Sequence, residues 1–199
     1  MKTGFGHLMT GTFCCSFVLL PLVVGQQSTV TPKKVLTPEQ MAFRQQWKEY
    51  EAKKKSLEAQ AKQVFDTEMA REKAEGQCPD AHNTHDIKIC EAEQTAITDQ
   101  NLKSYEELLH ELMAPAPRMP GAPAANPPGP AGLSLSDEEL LAEFDRTEQS
   151  WRIYREAACT AVFHRFHGGT LGPYYQMACK QSLARDHMRV INMIYNAGG

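Results

Sequence analysis

Apolar residues recur along most of this chain at spacings of three and four, and no stretch alternates apolar and polar residues with a period of two. Spacings of three and four place apolar side chains on one face of an α-helix. The pattern therefore predicts an all-α fold with little or no sheet. We expect a small, disulfide-stapled helical bundle preceded by a long N-terminal helix.

Capping signals predict where the helices begin and end. Thr37-Pro38-Glu39-Gln40 is typical of a helix start, with threonine as the cap and proline at the first helical position. The predicted helices are 37–76, Asn83 or Thr84 to Met113, the Ser136–Glu139 capping box to just before Gly168, and Pro173 to Tyr195. The first of these, 37–76, is predicted to be a long accessory helix. Sequence leaves open whether it lies against the domain, pairs with another copy or stands in solvent.

The same spacing predicts which side chains face the core. On the first helix, Lys54 and Glu68 interrupt the apolar seam. The predicted core faces are Phe43, Trp47, Tyr50, Leu57, Ala61 and Val64 on the first helix; Ile87, Cys90, Ile97, Tyr105, Leu108 and Leu112 on the second; Leu140, Phe144, Trp151, Tyr154, Ala158 and Val162 on the third; and Tyr175, Cys179, Leu183, Val190 and Ile194 on the fourth.

The first 25 residues have the order of a secretory signal peptide: a basic residue, an apolar core, a proline break and a small-residue exit at Gly25. The apolar run is shorter than the roughly 20 residues that span a bilayer. We therefore expect export to the periplasm or the extracellular space, with no membrane span after signal removal. The alternative is a membrane anchor formed by an uncleaved signal.

Composition divides the remaining chain. Residues 26–36 are polar and are predicted to be disordered. Residues 77–196 are predicted to form one helical domain. That domain is interrupted at 114–132 by a proline-rich linker, which holds seven of the chain's twelve prolines.

Cysteine usage also indicates export. The chain has six cysteines, of which Cys14 and Cys15 lie in the predicted signal. An even number of cysteines in an exported domain predicts a disulfide framework and not a metal or redox site.

Helical symmetry favours one pairing of the other four cysteines. Cys159 lies ten residues before Gly169 and Cys179 ten residues after it, so an antiparallel hairpin would place them side by side. A disulfide needs Cα atoms within about 7 Å. This favours a Cys159–Cys179 disulfide, and Cys78 and Cys90 are then left to pair with each other. The alternative pairing, 78–159 with 90–179, remains open.

Acidic residues concentrate in one segment. The chain's formal charge is −3, which gives no basic excess for nucleic acid. Residues 78–113 contain eight acidic residues against two lysines. An acidic helix face speeds encounter with a basic protein. The candidate partner-steering residues are Glu91, Glu93, Glu106 and Glu107.

No set of nucleophile, base and orienting group stands out, so we predict neither an enzyme nor a cofactor. Two histidine pairs, His82 with His85 and His164 with His167, have a spacing that places two ligands on one helical face. Zinc prefers four ligands with a supporting shell. Capping or surface roles near helix ends explain both pairs better, and no metal site is predicted.

A longer pattern links the cysteines. In order it comprises Cys78, Thr84, Cys90, Asp99-Gln-Asn-Leu102, Tyr105, Gln149-Ser-Trp151-Arg-Ile-Tyr154-Arg155, Cys159, Cys179, and Arg185 or Arg189. Over residues 78–195 this pattern resembles the bacterial lysozyme-inhibitor-like domain of the LprI type. The insert at 114–132 is longer than the usual connection, and the helix at 37–76 lies outside the domain.

The resemblance implies a small exported helical domain, some members of which are taken to inhibit lysozyme. It does not identify the residues that contact a lysozyme. We interpret the signature as architecture, with Trp151 and Tyr154 as core anchors and Asp99 with Arg155 as an ion pair or as caps.

Two functions follow from these observations. The first is an exported binding module that engages lysozyme or another cationic protein through an acidic helix face. The alternative is a structural or interaction protein of the cell envelope that acts through the 38–75 helix, with the stapled domain as a rigid module. Sequence leaves the oligomeric state open.

Overall fold

The computed structural model describes residues 36–74, 78, 80–122, 135–167 and 169–195. These residues contain four helices and no strand, which confirms the all-α prediction. The helices are α1 (Pro38–Ala74), α2 (Thr84–Leu112), α3 (Asp137–Arg165) and α4 (Gly172–Tyr195). The predicted signal at 1–25, residues 26–35 of the predicted disordered segment and residues 123–132 of the predicted linker lie outside the described residues.

Side-chain caps explain where three helices begin. The Gln40 amide donates to Thr37 Oγ1 at 3.2 Å, and the Thr37 amide donates to Gln40 Oε1 at 3.0 Å. Ser136 and Glu139 form the predicted capping box at α3. At α2 the cap is Asn83, whose side chain accepts hydrogen bonds from the amides of residues 85 and 86. These contacts satisfy amides that have no partner within the helix.

The helices pack around α2 and α4. α2 packs against both α1 and α4, and α3 packs against α4. Their shared core consists of Ala61, Leu102, Tyr105, Leu109, Phe144, Ala184, Met188 and Ile191. Because Ala61 is fully buried, α1 is part of the core and lies against the domain.

Only the second half of α1 enters this core. Its buried residues are Leu57, Ala61 and Glu68. Lys53 pairs with Glu111, in the last turn of α2, at 3.0 Å. Because α1 and α2 run antiparallel, the part of α1 before Lys53 extends past the end of α2.

Three aromatic side chains lie on this extension. The Phe43 and Trp47 ring centroids are 6.1 Å apart, and those of Trp47 and Tyr50 are 5.6 Å apart. Trp47 is exposed, and the other two rings are half-buried. The prediction that these three residues face the core is therefore wrong.

Two disulfides lie near the N-terminal ends of α2 and α4. The Cys78–Cys90 Cα atoms are 6.1 Å apart, and those of Cys159–Cys179 are 5.6 Å apart. These are the pairs that the hairpin argument favours. Each should stabilise the fold by roughly 2–4 kcal/mol under the chain-entropy model.

The predicted core faces of α2, α3 and α4 are wrong in part. Several apolar residues that were expected inside are exposed, and polar residues take their places. The exposed ones are Ile87, Ile97, Leu140, Tyr154, Tyr175, Val190 and Ile194, and the buried polar or charged ones are Thr95, Thr98, Glu106, Glu148, Arg155, Gln181, Arg185 and His187.

None of the helices within the described ranges combines the length and the apolar character needed to cross a membrane.

Candidate functional site

Three exposed carboxylates follow the outer face of α2. Glu93 and Glu107 are fourteen residues apart, which is close to four whole helical turns, and Glu111 follows one turn later. We call Glu93, Glu107 and Glu111 the acidic stripe. At 1.5 Å per residue it extends for about 27 Å. Two lysines accompany it: Lys103 lies 3.8 Å from Glu107, and Lys53 lies 3.0 Å from Glu111.

The stripe includes two of the four predicted steering residues. Glu93 and Glu107 are exposed, and Glu91 is half-buried. Glu106 is only 6% exposed, so the prediction that it steers a partner is wrong. Glu106 is one residue, or about 100°, from Glu107 around the helix. It therefore faces the neighbouring helices and not the solvent.

A groove of about 640 Å³ opens beside the stripe, between α2 and α3. Its carboxylates outnumber its basic side chains by five to two. The carboxylates are Glu106, Glu107, Glu111, Asp145 and Glu148; the basic side chains are Lys103 and Arg152; and His110 and Phe144 complete the lining. The groove and the stripe share Glu107 and Glu111, so they meet at the C-terminal end of α2.

A buried cluster of Glu106, Glu148 and His187 lies at the base of this groove; we call it the Glu–Glu–His cluster. His187 Nε2 is 2.9 and 2.8 Å from the two Glu148 oxygens. The Trp151 ring stacks on the His187 ring, with centroids 4.0 Å apart and planes 8° apart. Arg152 donates a hydrogen bond to Glu106 Oε2. Glu106 Oε1 is buried, and no donor of another residue reaches it.

The pKa values of the two carboxylates in the cluster are shifted in opposite directions. Burial, reinforced by the hydrogen bonding and negative charge of Glu148, raises the pKa of Glu106 to about 8, although Arg152 opposes the rise. Burial would also raise the pKa of Glu148, but hydrogen bonding to His187 outweighs it and lowers that pKa. At neutral pH, Glu106 therefore holds a proton while Glu148 is ionised.

A second polar network joins α1, α2 and α4. Glu68, which is fully buried, accepts hydrogen bonds from Arg185 Nε at 2.8 Å, Arg71 Nη2 at 2.9 Å, Thr98 Oγ1 at 2.9 Å and Asn101 Nδ2 at 2.7 Å. Burial would raise the pKa of Glu68, but these donors lower it below its ordinary value. The network is a structural junction, since it lies inside the bundle.

Several signature residues have structural contacts. Arg155 is buried and donates hydrogen bonds to Asp99 and, at 2.9 Å, to the Lys180 carbonyl oxygen. It thus joins α3 to α2 and α4, as the ion-pair prediction required. Leu102 and Tyr105 lie in the core, and the Tyr105 hydroxyl donates to Asn192 Oδ1 at 2.6 Å.

The remaining signature residues differ in their environments. Trp151 is half-buried on His187, whereas Tyr154 is 58% exposed. The prediction that Tyr154 anchors the core is therefore wrong. Thr84 and Gln149 are also exposed. Tyr154 points away from the core because the buried face of α3 passes through Phe144, Glu148, Arg155 and Cys159.

The same sequence segment matches a known family. Residues 74–190, more than half of the chain, match the family model described as lysozyme inhibitor LprI. The chain belongs to the LprI family. No curated protein matches the chain, and no solved structure matches it. Apart from Ala74, α1 lies outside the residues that match the LprI model.

Membership supports a lysozyme-inhibitor-like role at the level of the family, which is a family of inhibitors and not of enzymes. The two disulfides and the LprI family also fit an extracytoplasmic protein.

The Glu–Glu–His cluster could not be predicted from the sequence, because its members come from three helices, with about 40 residues between successive members. No local spacing could have indicated it. The four histidines that did have ligand-like spacing, His82, His85, His164 and His167, are all exposed. Among the residues that the structure describes, neither histidine pair forms part of a group of three metal-ligating side chains.

Proposed function

We propose that this LprI-family protein is an exported inhibitor that binds a basic protein, a lysozyme, through the acidic stripe of α2 and the adjoining groove. The acidic surface is the observation that supports this most directly. The surface has four exposed carboxylates, which extend over about 27 Å along α2 and across to α3, and it also has the ionised Glu148. These five negative charges face three positive ones, from Lys53, Lys103 and Arg152, so the field is net negative. The exposed carboxylates are Glu93, Glu107, Glu111 and Asp145. Such a field attracts a cationic protein and orients it during encounter.

The groove offers a place for the partner's side chains. Its volume of about 640 Å³ is within the range of ordinary ligand pockets. Lysine or arginine side chains of a partner could enter it and pair with Glu107, Glu111 and Asp145, which are exposed. Inhibition would follow if the docked bundle kept the cell-wall polymer away from the enzyme.

Export is part of the proposal. Disulfides form and persist in oxidising compartments, such as the periplasm and the extracellular space. Lysozymes act on cell walls in these same compartments. A bundle held by two covalent crosslinks would present its acidic face with little rearrangement, which lowers the entropic cost of binding.

The test is a cell-wall lysis assay with a basic lysozyme and the purified, oxidised protein. We expect the wild-type protein to slow lysis, and the effect to weaken as salt rises. The double variant Glu93→Lys/Glu107→Lys should lose about tenfold in potency, because it reverses the charge of the stripe.

The matched control is Glu49→Lys/Glu58→Lys, which changes the net charge equally at exposed positions of α1. It should retain potency within about twofold, because neither residue belongs to the stripe or lines the groove and the charges of α1 are nearly balanced. Equal inhibition by the stripe variant and the wild type would contradict the proposed surface.

One observation favours a second candidate, an envelope interaction protein that acts through α1. The Phe43–Trp47–Tyr50 row lies on the part of α1 that extends past α2, and amphipathic helices often insert aromatic anchors into a partner's groove. Under this alternative, Phe43→Ser/Trp47→Ser/Tyr50→Ser should abolish cosedimentation with envelope fragments. Lysozyme inhibition should be unaffected. Cosedimentation that survives the three substitutions would remove this candidate.

A further inference from the structure

We infer that Glu106, Glu148 and His187 form a binding site for a divalent transition-metal ion, for which Zn²⁺ is the best match. The three side chains come from α2, α3 and α4, and each is buried. The inference rests on the geometry of the cluster and does not depend on the proposed inhibitor function.

The ligand atoms are close enough to share one ion. One atom from each side chain lies within 4.8 Å of the other two. With Zn–O and Zn–N bonds of about 2.0–2.2 Å, two ligand atoms on a tetrahedral ion are about 3.3 Å apart. His187 Nε2 and Glu148 Oε2 are already 2.8 Å apart. Small side-chain movements would therefore complete the site.

One buried oxygen of Glu106 is open to a ligand on the side of the cluster. Glu106 is 6% exposed, and no donor of another residue reaches its Oε1 atom. Arg152 occupies the other oxygen, Oε2. Without a metal, the proton that Glu106 carries at neutral pH is shared with Glu148. A bound metal ion would displace this proton and take its place between the ligands.

The surroundings of the cluster resemble a supporting shell. Trp151 stacks on His187 and fixes the plane of the imidazole, while Arg152 holds Glu106 from the opposite oxygen. Such second-shell contacts orient metal ligands. Both glutamates line the groove between α2 and α3, so an ion would have a path from solvent.

The donor set selects the class of ion. Calcium and magnesium prefer sites made of oxygen ligands alone. One imidazole nitrogen with two carboxylates suits zinc or a neighbouring transition metal. Three protein ligands leave one tetrahedral position for water or for a group brought by a partner.

The experiment uses the purified, oxidised protein with Trp47→Phe. Trp47 and Trp151 are the chain's two tryptophans, so this background leaves Trp151 as the sole indole fluorophore beside the cluster. After metal is removed with a chelator and the chelator is removed by dialysis, ZnCl₂ is added. At free Zn²⁺ of about 100 times Kd, we expect Tm to rise by about 5–10 °C. Co²⁺ should quench Trp151 fluorescence, and Zn²⁺ should reverse the quenching.

Two variants locate the ion. Glu106→Gln keeps the side-chain shape and should weaken Zn²⁺ binding at least about tenfold, while its metal-free Tm stays equal to or above that of the parent protein. A loss of binding therefore cannot be ascribed to unfolding. The control variant, His82→Gln/His85→Gln, changes an exposed pair and should bind Zn²⁺ like the parent.

Three results would overturn the inference. The first is that Zn²⁺ does not change the Tm of the parent protein and Co²⁺ does not quench its fluorescence. That result would leave the cluster as a buried, hydrogen-bonded Glu148–His187 pair with a purely structural role. The second is an equal Zn²⁺ response in Glu106→Gln. The third is loss of the response in the His82→Gln/His85→Gln control, which would place the ion at the surface pair.

Discussion

At the scale of single residues, two buried glutamates in this bundle have opposite environments. Glu68 accepts hydrogen bonds from two arginines, a threonine and an asparagine, and these contacts lower its pKa despite its burial. Glu106 has Arg152 on one oxygen and no donor on the other, and its burial next to Glu148 raises its pKa to about 8. The number of donors decides whether a buried carboxylate stays ionised or keeps a proton.

The Glu68 network should be sensitive to loss of its charge. Glu68→Gln removes the carboxylate that pairs with the buried Arg185. We expect the free energy of unfolding at pH 7 to fall by about 3–5 kcal/mol, measured by urea denaturation. Because the folded-state pKa of Glu68 is lowered, its contribution is complete above the ordinary carboxyl pKa and is lost as pH falls through the folded-state pKa. The wild-type advantage should therefore shrink in acid.

The control for this prediction is Glu72→Gln, which breaks a surface pair with Arg189. It should cost less than about 1 kcal/mol, because exposed ion pairs contribute little. Similar losses in the two variants would show that the Glu68 network is no more important than a surface ion pair.

Glu106 should make the free energy of unfolding depend on pH in the direction opposite to that of Glu68, and Glu106→Gln should remove this dependence. In the wild type, the pKa of Glu106 is about 8 in the folded state, compared with its ordinary value of 4.5 in the unfolded chain. Between these two pH values, the folded state keeps the proton on Glu106 and the unfolded chain releases it. Wild-type stability should therefore fall as pH rises through this window, by up to roughly 1.4 kcal/mol per pH unit from this group. The variant should lack this slope.

Urea denaturation of both proteins from pH 5 to pH 9, in the presence of a chelator, measures this effect. The two stabilities should diverge in favour of Glu106→Gln as pH rises. Parallel curves would mean that Glu106 does not hold a proton in the folded state.

At the scale of helices, capping residues and cysteine spacing were sufficient to predict the elements, but apolar periodicity was not sufficient to predict their buried faces. Thr37 and Ser136 cap their helices through local contacts, which a sequence displays directly. Thr98 and Glu68 are buried because each contacts the other across a helix interface. Such partners exist only in the folded chain, so a pattern of apolar residues assigns the polar positions to solvent.

The division of α1 into a core half and an extension can be tested by truncation. A protein that begins at Lys53 should keep its free energy of unfolding within about 0.5 kcal/mol, because no residue before Leu57 on α1 is buried. A protein that begins after Ala74 should lose cooperative unfolding, because the truncation removes Ala61 and Glu68 from the core. Circular dichroism during thermal unfolding measures both, and equal effects of the two truncations would contradict the division.

At the scale of the whole molecule, charge is the property that connects the fold to binding. The sequence predicted an acidic segment at 78–113, but it could not show which carboxylates face the solvent. The bundle buries Glu106 and leaves Glu111, which was not among the candidates, on the acidic stripe. The difference arises because α2 packs against α4 and α1 through specific faces. Under the proposed function, the stripe is the part of the negative charge that a basic partner meets first.

The association rate constant with a basic lysozyme, measured by stopped-flow at several salt concentrations, tests this account most directly. We expect the wild-type rate constant to fall steeply with salt. At low salt, Glu93→Lys/Glu107→Lys should associate at least about tenfold more slowly and with a weaker salt dependence, whereas Glu49→Lys/Glu58→Lys should follow the wild type. Identical rate constants and salt dependences for all three proteins, or no association at all, would contradict the account.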